Sequence, residues 1–523
     1  MSTDKYSQHD SKRGIVRSTT IISLGTLSSR ILGFVRDIII AKLLGTASGA
    51  DAFFVAFRIP NLFRDLVGEG ATNSAFVPVF SEYEAKKDKV ELWNFVSVFL
   101  ILSLMVLSLI TILGIVFAPV IVRVMAPGFL TDPQKLETTI FLTRIMFPYL
   151  ILIGLTAYSM GILYTFRSFV TPAFSPCLLN VAMIGSALVA TFLHHDHVLG
   201  LAIGVLIGGV LQLSVQIWPL VKKGIHIKRP LTLSHPGAKK VGQLLLPRLF
   251  GSAVYQLNIV IDTFCASLSG IVGAGGIAAI YYANRIIQFP MGLVGVALAS
   301  AILPSMAGFA ARDNLEDLKK TLAFSLENIF LVMVPASVAV MLLAFPMTKI
   351  LFERGEFNSY STQITSWALL FSAFGLVGFG GSKIMVTTFH SLQDTATPVK
   401  VGFVCLITNA VLNFLLMGPL KVGGIALASA IASTVNFLVL FYLMNKKLDG
   451  IHENLLHYFF RVSLAAGLMG SGIIFAWNQL GFFPEITRLL VVMALGIFIY
   501  LVSCLFLKIS QVEAVLRWIS RPR

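Results

Sequence analysis

The chain has 523 residues, of which 56% are hydrophobic and 12% charged, and its mean hydropathy is +0.84. A soluble domain is about 45–50% apolar and about 25% charged, so lipid is the main solvent here and no sizeable soluble domain fits. The formal charge of +15 does not point to nucleic acid, because Lys and Arg sit mostly in short clusters between apolar segments, as topology signals do.

Residues 1–16 read as a polar, basic cytoplasmic tail. The apolar run after it has no small-x-small site at its end, so it is expected to be a retained span rather than a cleaved leader. Apolar runs of about 20 residues, enough to cross the hydrocarbon core as a helix, recur as far as Leu507. Bounded by charged or Pro/Gly breaks, they predict an all-α polytopic protein of fourteen helices. These lie near 17–44, 50–80, 91–123, 138–166, 172–193, 198–221, 239–268, 273–308, 316–345, 361–390, 399–417, 423–445, 456–479 and 485–508.

With the N-terminus inside, the inner loops hold Lys12/Arg13/Arg17, Lys86/Lys87/Lys89, Lys222/Lys223/Lys228, Arg312/Lys319/Lys320, Lys446/Lys447 and the basic residues after Lys508. The outer loops hold mainly Arg123, Lys135, Lys349, Arg354 and Lys421. That asymmetry, with an even span count, predicts a multi-pass membrane protein with both termini cytoplasmic.

Two halves resemble each other at an offset of about 224–227 residues. Gly200-Leu-Ala-Ile with Gln212 recurs as Gly424-Ile-Ala-Leu with Asn436, and Thr171-Pro172 recurs as Thr397-Pro398. Ala56-Phe-Arg58-Ile recurs as Ala283-Asn-Arg285-Ile, and Ser74 to Pro78 recurs as Ser300 to Pro304. Six spans per copy is an even number, so the copies enter the membrane in the same sense, as two parallel lobes. The expected division is a first lobe at 17–222, a cytoplasmic linker at 223–238, a second lobe at 239–447, two further spans at 448–510 and a cytoplasmic tail at 511–523.

The first two spans carry Arg30, Arg36, Asp37, Asp51, Arg58, Arg64, Asp65 and Glu69. A charge at the centre of a membrane helix costs about 2.5–3.5 kcal/mol on insertion scales, so these residues face a wet cavity or one another. Internal pairing is one reading, and it suits Asp37 and Asp65. For the arginines an anion is the better partner, since a guanidinium fork matches phosphate. Arg285 strengthens that reading, because 277–304 holds no acidic residue. Asp262 stands apart in the seventh span, as a proton or cation ligand or a helix-pairing residue. Asn409 and Asn413, one turn apart, with Ser429 in the next span, are expected to supply neutral oxygens to a cation beside Asp262.

Other motifs carry no chemistry. Gly273-Ala-Gly275-Gly276 lacks GxGxxG spacing and no ATP site is visible, so energy is expected from an ion gradient or the membrane potential. His194-His195-Asp196-His197 reads as a solvated turn, and Cys177, Cys265, Cys405 and Cys504 as small core residues. With no nucleophile, base and metal constellation, there are no catalytic residues to name and an enzyme is not expected.

Long ordered strings carry a family resemblance. Ser29-Arg-Ile-Leu-Gly-Phe-Val-Arg-Asp37, Asp51 to Arg64, Gly68-Glu-Gly-Ala71, Ala126-Pro-Gly-Phe129, Tyr281-Tyr-Ala-Asn-Arg285 and Thr397-Pro-Val-Lys400 resemble the MurJ/MviN family of lipid II flippases. The resemblance implies a MOP-superfamily fold whose two lobes enclose a cationic cavity, with helices 13 and 14 forming a groove for the undecaprenyl tail. It adds Asp51 to Arg30, Arg36, Arg64 and Arg285 as positions needed for flipping, and Arg58 and Glu69 complete the substrate-binding set. Asn284 and Gln288 stand where relatives commonly have acidic residues. A sodium site in some relatives matches Asp262, Asn409, Asn413 and Ser429, with Asn413 replacing an acidic ligand. The coupling ion is then Na+ or H+, with no other cofactor. The expected function is movement of lipid II, the undecaprenyl-diphosphate-linked muropeptide, to the outer leaflet by alternating access, for peptidoglycan and cell wall biogenesis. Expected partners are lipid II, membrane lipids and the cell-wall synthesis machinery. Rival readings are a flippase for another undecaprenyl-diphosphate-linked glycan and a MATE-like ion-coupled exporter, which would line its cavity with carboxylates instead.

Overall fold

The computed structural model describes residues 3–64, 75–225, 232–451 and 454–513, with the side chains at 3–19 and 246–253 outside that description. No strand occurs among the described residues. The helices are α1 (Thr3–Leu44), α2 (Ser48–Arg64), α3 (Val77–Lys86), α4 (Lys89–Met125), α5 (Pro133–Met146), α6 (Tyr149–Thr165), α7 (Val170–Phe192), α8 (His197–Lys222), α9 (Pro236–Ser267), α10 (Ser269–Val272), α11 (Gly276–Pro290), α12 (Ala297–Ala310), α13 (Leu315–Phe352), α14 (Ser359–Ala373), α15 (Leu376–Ser391), α16 (Ala396–Leu420), α17 (Val422–Lys447), α18 (Leu455–Gln479) and α19 (Glu485–Phe506).

Among the described residues ten helical stretches are long and apolar enough to cross a membrane, and α14 with α15, bent by 47°, makes an eleventh. The other three expected spans, 17–44, 50–80 and 239–268, fall on α1, on α2 with α3, and on α9, outside that count. Five helices, α4, α5, α8, α13 and α14, start where a polar side chain satisfies an end N–H group that lipid cannot. Asp88 accepts from Glu91 N at 2.8 Å, Asp132 from Lys135 N at 3.0 Å, Asn314 from Asp317 N at 3.2 Å and Asn358 from Ser361 N at 3.0 Å. Asp196 does the same for α8, accepting from Val198 N at 2.8 Å. Its place in the His-rich run is therefore that of a cap, and His194 and His195 beside it are exposed.

Three expected spans are broken. Span 4 divides into α5 and α6 around Phe147 and Pro148, where the ring removes a helix donor. Span 8 passes from α11 through a π-helical segment, Met291–Val296, into α12 directly after Pro290. Span 10 bends around Phe374 and Gly375, where a Cβ on the glycine would lie 2.8 Å from Ala430 Cα. Spans 4 and 10 are the fourth of each repeat, so the break is itself repeated.

The chain divides into two compact units, Met1–Gln256 and Leu257–Arg523. In the first, α7 packs on α1 and α8, α6 on α8, and α2 on α5. Helices α7 and α8 approach closely enough that a Cβ at Gly208 would come within 2.9 Å of Leu179 Cα. Small residues allow such contact in lipid, where dispersion and shape replace the hydrophobic effect. An aromatic cluster closes one end, with Phe76 stacked on Phe99 at 4.6 Å and Phe99 edge-on to Tyr158 at 4.8 Å. The start of α9 is tied to it: His235 contacts Glu91 at 3.2 Å, and Lys240 donates to Glu82 at 2.6 Å. That hydrogen bond, the Lys240 charge and the charge of Lys86 hold the Glu82 carboxyl below its ordinary pKa. In the second unit α17 packs on α14, α15 and α16, and α13 on α14 and α18, with α19 against α18. All four cysteines are buried and unbridged.

Candidate functional site: a charged network and an oxygen cluster

Arg36 and Asp37 are adjacent on α1, and both are buried, at 4% and 0% exposure. Arg36 donates from Nε and Nη2 to Asp37 Oδ1 at 3.0 and 2.8 Å, and from Nη1 to Asn180 Oδ1 on α7 at 3.0 Å. Asn180 in turn donates to the Ser29 carbonyl at 3.1 Å, stitching α7 to α1 beside Arg30. Spacing along α1 makes these arginines look alike, yet Arg36 is engaged inside the first unit whereas Arg30 is exposed.

Asp51, in the first turn of α2, is also buried, and Lys135 of α5 donates to its Oδ2 at 2.8 Å. The Lys135 ammonium lies 4.3 Å from the Phe129 ring centroid, so a charge partner and a π face together replace the water it has lost. Sequence reading placed Lys135 in an outer loop. The structure buries it because Pro133 and the Asp132 cap start α5 before it and turn it in toward α2. Arg58 and Arg64 on α2 are half-buried, and neither is without a partner. Asp65 and Glu69 lie outside the described residues.

In the second unit Arg285 is half-buried on α11. Its Nη2 donates to the Tyr281 hydroxyl at 3.1 Å, one turn back, and Nη1 reaches Gln288 Oε1 at 3.4 Å. The guanidinium carbon lies 5.4 Å from the Tyr281 ring centroid. Gln288, neutral where an acid is common in the family the sequence resembles, holds Arg285 without cancelling its charge.

The four oxygen-bearing residues from three separate spans do meet. Asp262 of α9 accepts at Oδ1 from Asn409 and Asn413 of α16 at 3.0 and 2.9 Å, and at Oδ2 from Ser429 of α17 at 2.8 Å. Asn258, one turn before Asp262, accepts from Asn409 at 3.2 Å. Asn413 Oδ1 is buried with no hydrogen-bond partner. One carboxylate, amide oxygens and a hydroxyl are hard oxygen donors of total charge −1, which suits an alkali cation. With a cation beside Asp262, turning the two amides over would let each Oδ1 ligate it from the point where NH2 now donates to the carboxylate. Among the described residues no group of three His, Cys, Asp or Glu side chains stands close enough to hold a transition metal.

Sequence reading missed Lys135, Asn180 and Asn258. Only Asn258 had a signal, the i−4 spacing that puts it on the Asp262 face of α9; the other two are long-range partners.

A family model described as "Lipid II flippase MurJ" matches residues 40–505. A Haemophilus influenzae protein described as "Probable lipid II flippase MurJ" is 34% identical over 508 residues, covering 93% of this chain and 98% of its own. A Burkholderia cenocepacia protein described as "Lipid II flippase MurJ" is 35% identical over 446 residues, covering 84% and 85%. The solved structure "Lipid II flippase MurJ, inward closed conformation" matches with a TM-score of 0.79 at 27% identity, over 94% of this chain and 99% of that one. An inward-facing multidrug resistance MATE family transporter of the MOP superfamily, at 19% identity and a TM-score of 0.66 over 81% and 95%, shares the fold. On a match that runs nearly end to end in sequence and in structure, this chain belongs to the MurJ family of lipid II flippases, which are membrane transporters and not enzymes.

Proposed function

We infer that this chain is a multi-pass inner-membrane flippase that carries lipid II from the inner to the outer leaflet for peptidoglycan synthesis. The observation that carries this is the family match over residues 40–505, at 34% identity to a relative of nearly the same length. The chemistry agrees with it. A diphosphate-linked glycan cannot cross hydrocarbon unaided, because each unsatisfied polar group costs several kcal/mol there. Arg30, exposed on α1, and Arg285, held on α11 by Tyr281 and Gln288, offer guanidinium forks to the diphosphate. Arg36 with Asp37 fixes α1, which presents Arg30, and Asp51 with Lys135 fixes α2 on α5 in the same unit.

Both termini lie in the cytoplasm on the basic-loop pattern, and α18 and α19 hold the undecaprenyl tail. Transport proceeds by alternating access and delivers lipid II to the cell-wall synthesis machinery outside. Sodium bound by Asp262, Asn409, Asn413 and Ser429 is the proposed coupling ion, supported by their convergence and by the orphaned Asn413 oxygen. An inside-negative potential adds about 2.3 kcal/mol per elementary charge per 100 mV for net negative charge moved outward.

The test is externalisation of labelled lipid II in cells depleted of their own flippase. Wild type restores it. Stable insertion with no lipid II at the outer leaflet would move another undecaprenyl-diphosphate-linked glycan to first place.

A further inference from the structure

At the end of the second unit where α18 begins and α19 finishes, a pocket of about 440 Å3 opens between α13, α18 and the residues after α19. Its rim is basic: Arg461 and Lys508 are exposed there, and His457 lies one turn before Arg461. Glu327 of α13 is the acidic member, and its Oε2 accepts a hydrogen bond from Gln511. Among the described lining residues, two fixed cations against one carboxylate leave a net charge of about +1.

Tyr458, in the same wall, is only 8% exposed, and its hydroxyl is buried with no hydrogen-bond partner. Buried hydroxyls are almost always satisfied, so an orphan in a cationic pocket marks the place of an absent acceptor. The surface beside the pocket says what else that acceptor carries. Leu456, Phe460 and Leu464 recur every fourth residue on α18 at 67%, 62% and 56% exposure, and Phe506 at the end of α19 is 83% exposed. His457 and Arg461 each follow one of these apolar residues, so the basic rim passes directly into a stripe that lipid must cover.

We propose that this pocket binds the phosphodiester headgroup of an anionic phospholipid, with its acyl chains along the Leu456–Phe460–Leu464 stripe. The phosphate accepts from Arg461, Lys508 and the Tyr458 hydroxyl, and its single negative charge matches the net charge of the wall. A zwitterionic lipid fits less well, since its ammonium faces the same cations and Glu327 is already engaged by Gln511. The basic-loop pattern assigns this end to the cytoplasmic leaflet. The site shares no residue with the Arg30 and Arg285 set and does not rest on the flipping reading, but it uses the α18 surface which that reading gives to the undecaprenyl tail, so lipid II is a competitor in its test.

The test uses the full chain in detergent, titrated with phosphatidylglycerol or phosphatidylethanolamine and read by native mass spectrometry. Wild type retains one phosphatidylglycerol about tenfold more tightly than phosphatidylethanolamine. Arg461→Gln with Lys508→Gln removes that preference, and Tyr458→Phe, which keeps the ring and its packing, weakens binding about threefold. If the double variant does not fold, Lys508→Gln alone and Tyr458→Phe decide. Equal retention of the two lipids, or unchanged binding in the folded variants, overturns the proposal. Displacement by millimolar inorganic phosphate would make this a free-phosphate site, and displacement by equimolar lipid II would make it a substrate site; either result overturns it too.

Discussion

In the first unit the acid of the leading helix, Asp37, accepts from Arg36 of that same helix, which also donates to Asn180 of α7. In the second the carboxylate 225 residues later, Asp262, accepts from two asparagines of α16 and a serine of α17. The separation lies within about two residues of the repeat offset, so the two units meet a buried carboxylate at comparable places in different ways. The first unit supplies its cation covalently, in Arg36, and the pair becomes part of the scaffold. The second surrounds its carboxylate with neutral dipoles, an arrangement a mobile cation can enter and leave. On the proposal above, sodium does for Asp262 what Arg36 does for Asp37.

The largest expected effect breaks the built-in pair. Arg36→Ala leaves Asp37 fully buried without its cation and is expected to cost about 3–5 kcal/mol, seen as a fall in the melting temperature of the purified protein. Arg36→Met with Asp37→Leu should recover at least half of it. A single variant that melts like wild type would put the pair outside the scaffold.

Next is Asp51 with Lys135, the other buried pair. A double-mutant cycle of Asp51→Asn and Lys135→Met is expected to give a coupling of about 1–3 kcal/mol. A coupling near zero would free Asp51 for a role at the substrate.

The comparison sharpens most on sodium. Replacing choline by sodium at constant ionic strength is expected to stabilise wild type by about 1–3 kcal/mol through binding to the folded state. Asp262→Asn should abolish that gain, while Arg36→Ala should keep it on its lower baseline. A gain that survives Asp262→Asn would place the ion elsewhere.

The smallest effect concerns Glu82 and Lys240. The Glu82 pKa is depressed below its ordinary 4.5, so its contribution is present above pH 4.5 and is lost as pH falls through the folded value. Lys240→Met should make the melting temperature of the protein less sensitive to acid between pH 5 and pH 3, in buffers set to these values by design (about one carboxylate's worth of protons). Identical acid profiles would show that the bridge between α3 and α9 carries no stability.

Hydropathy was enough to read most of the helical order, because each span must satisfy its own backbone in lipid and therefore shows as a continuous apolar run. It was blind to the breaks inside spans 4, 8 and 10, since Pro148 and Gly375 interrupt helix geometry without interrupting apolarity. Asp262 stood out because it is alone in its span. Its grouping with Asn409, Asn413 and Ser429 was read from their oxygens and agreed with the family resemblance, while the packing of three distant helices that joins them has no local signature. Arg36 and Arg30 were indistinguishable for the same reason: what separates them is Asn180, 144 residues beyond Arg36. Lys135 read as a loop cation because the acid that buries it lies on another helix.

The most direct test of the account is transfer of fluorescent lipid II across reconstituted vesicles by wild type, Arg30→Ala and Arg285→Ala, each with its melting temperature measured alongside. The account predicts transfer by wild type and, in both variants, a loss of about tenfold or more with melting unchanged. Full transfer by well-folded Arg30→Ala and Arg285→Ala would contradict it.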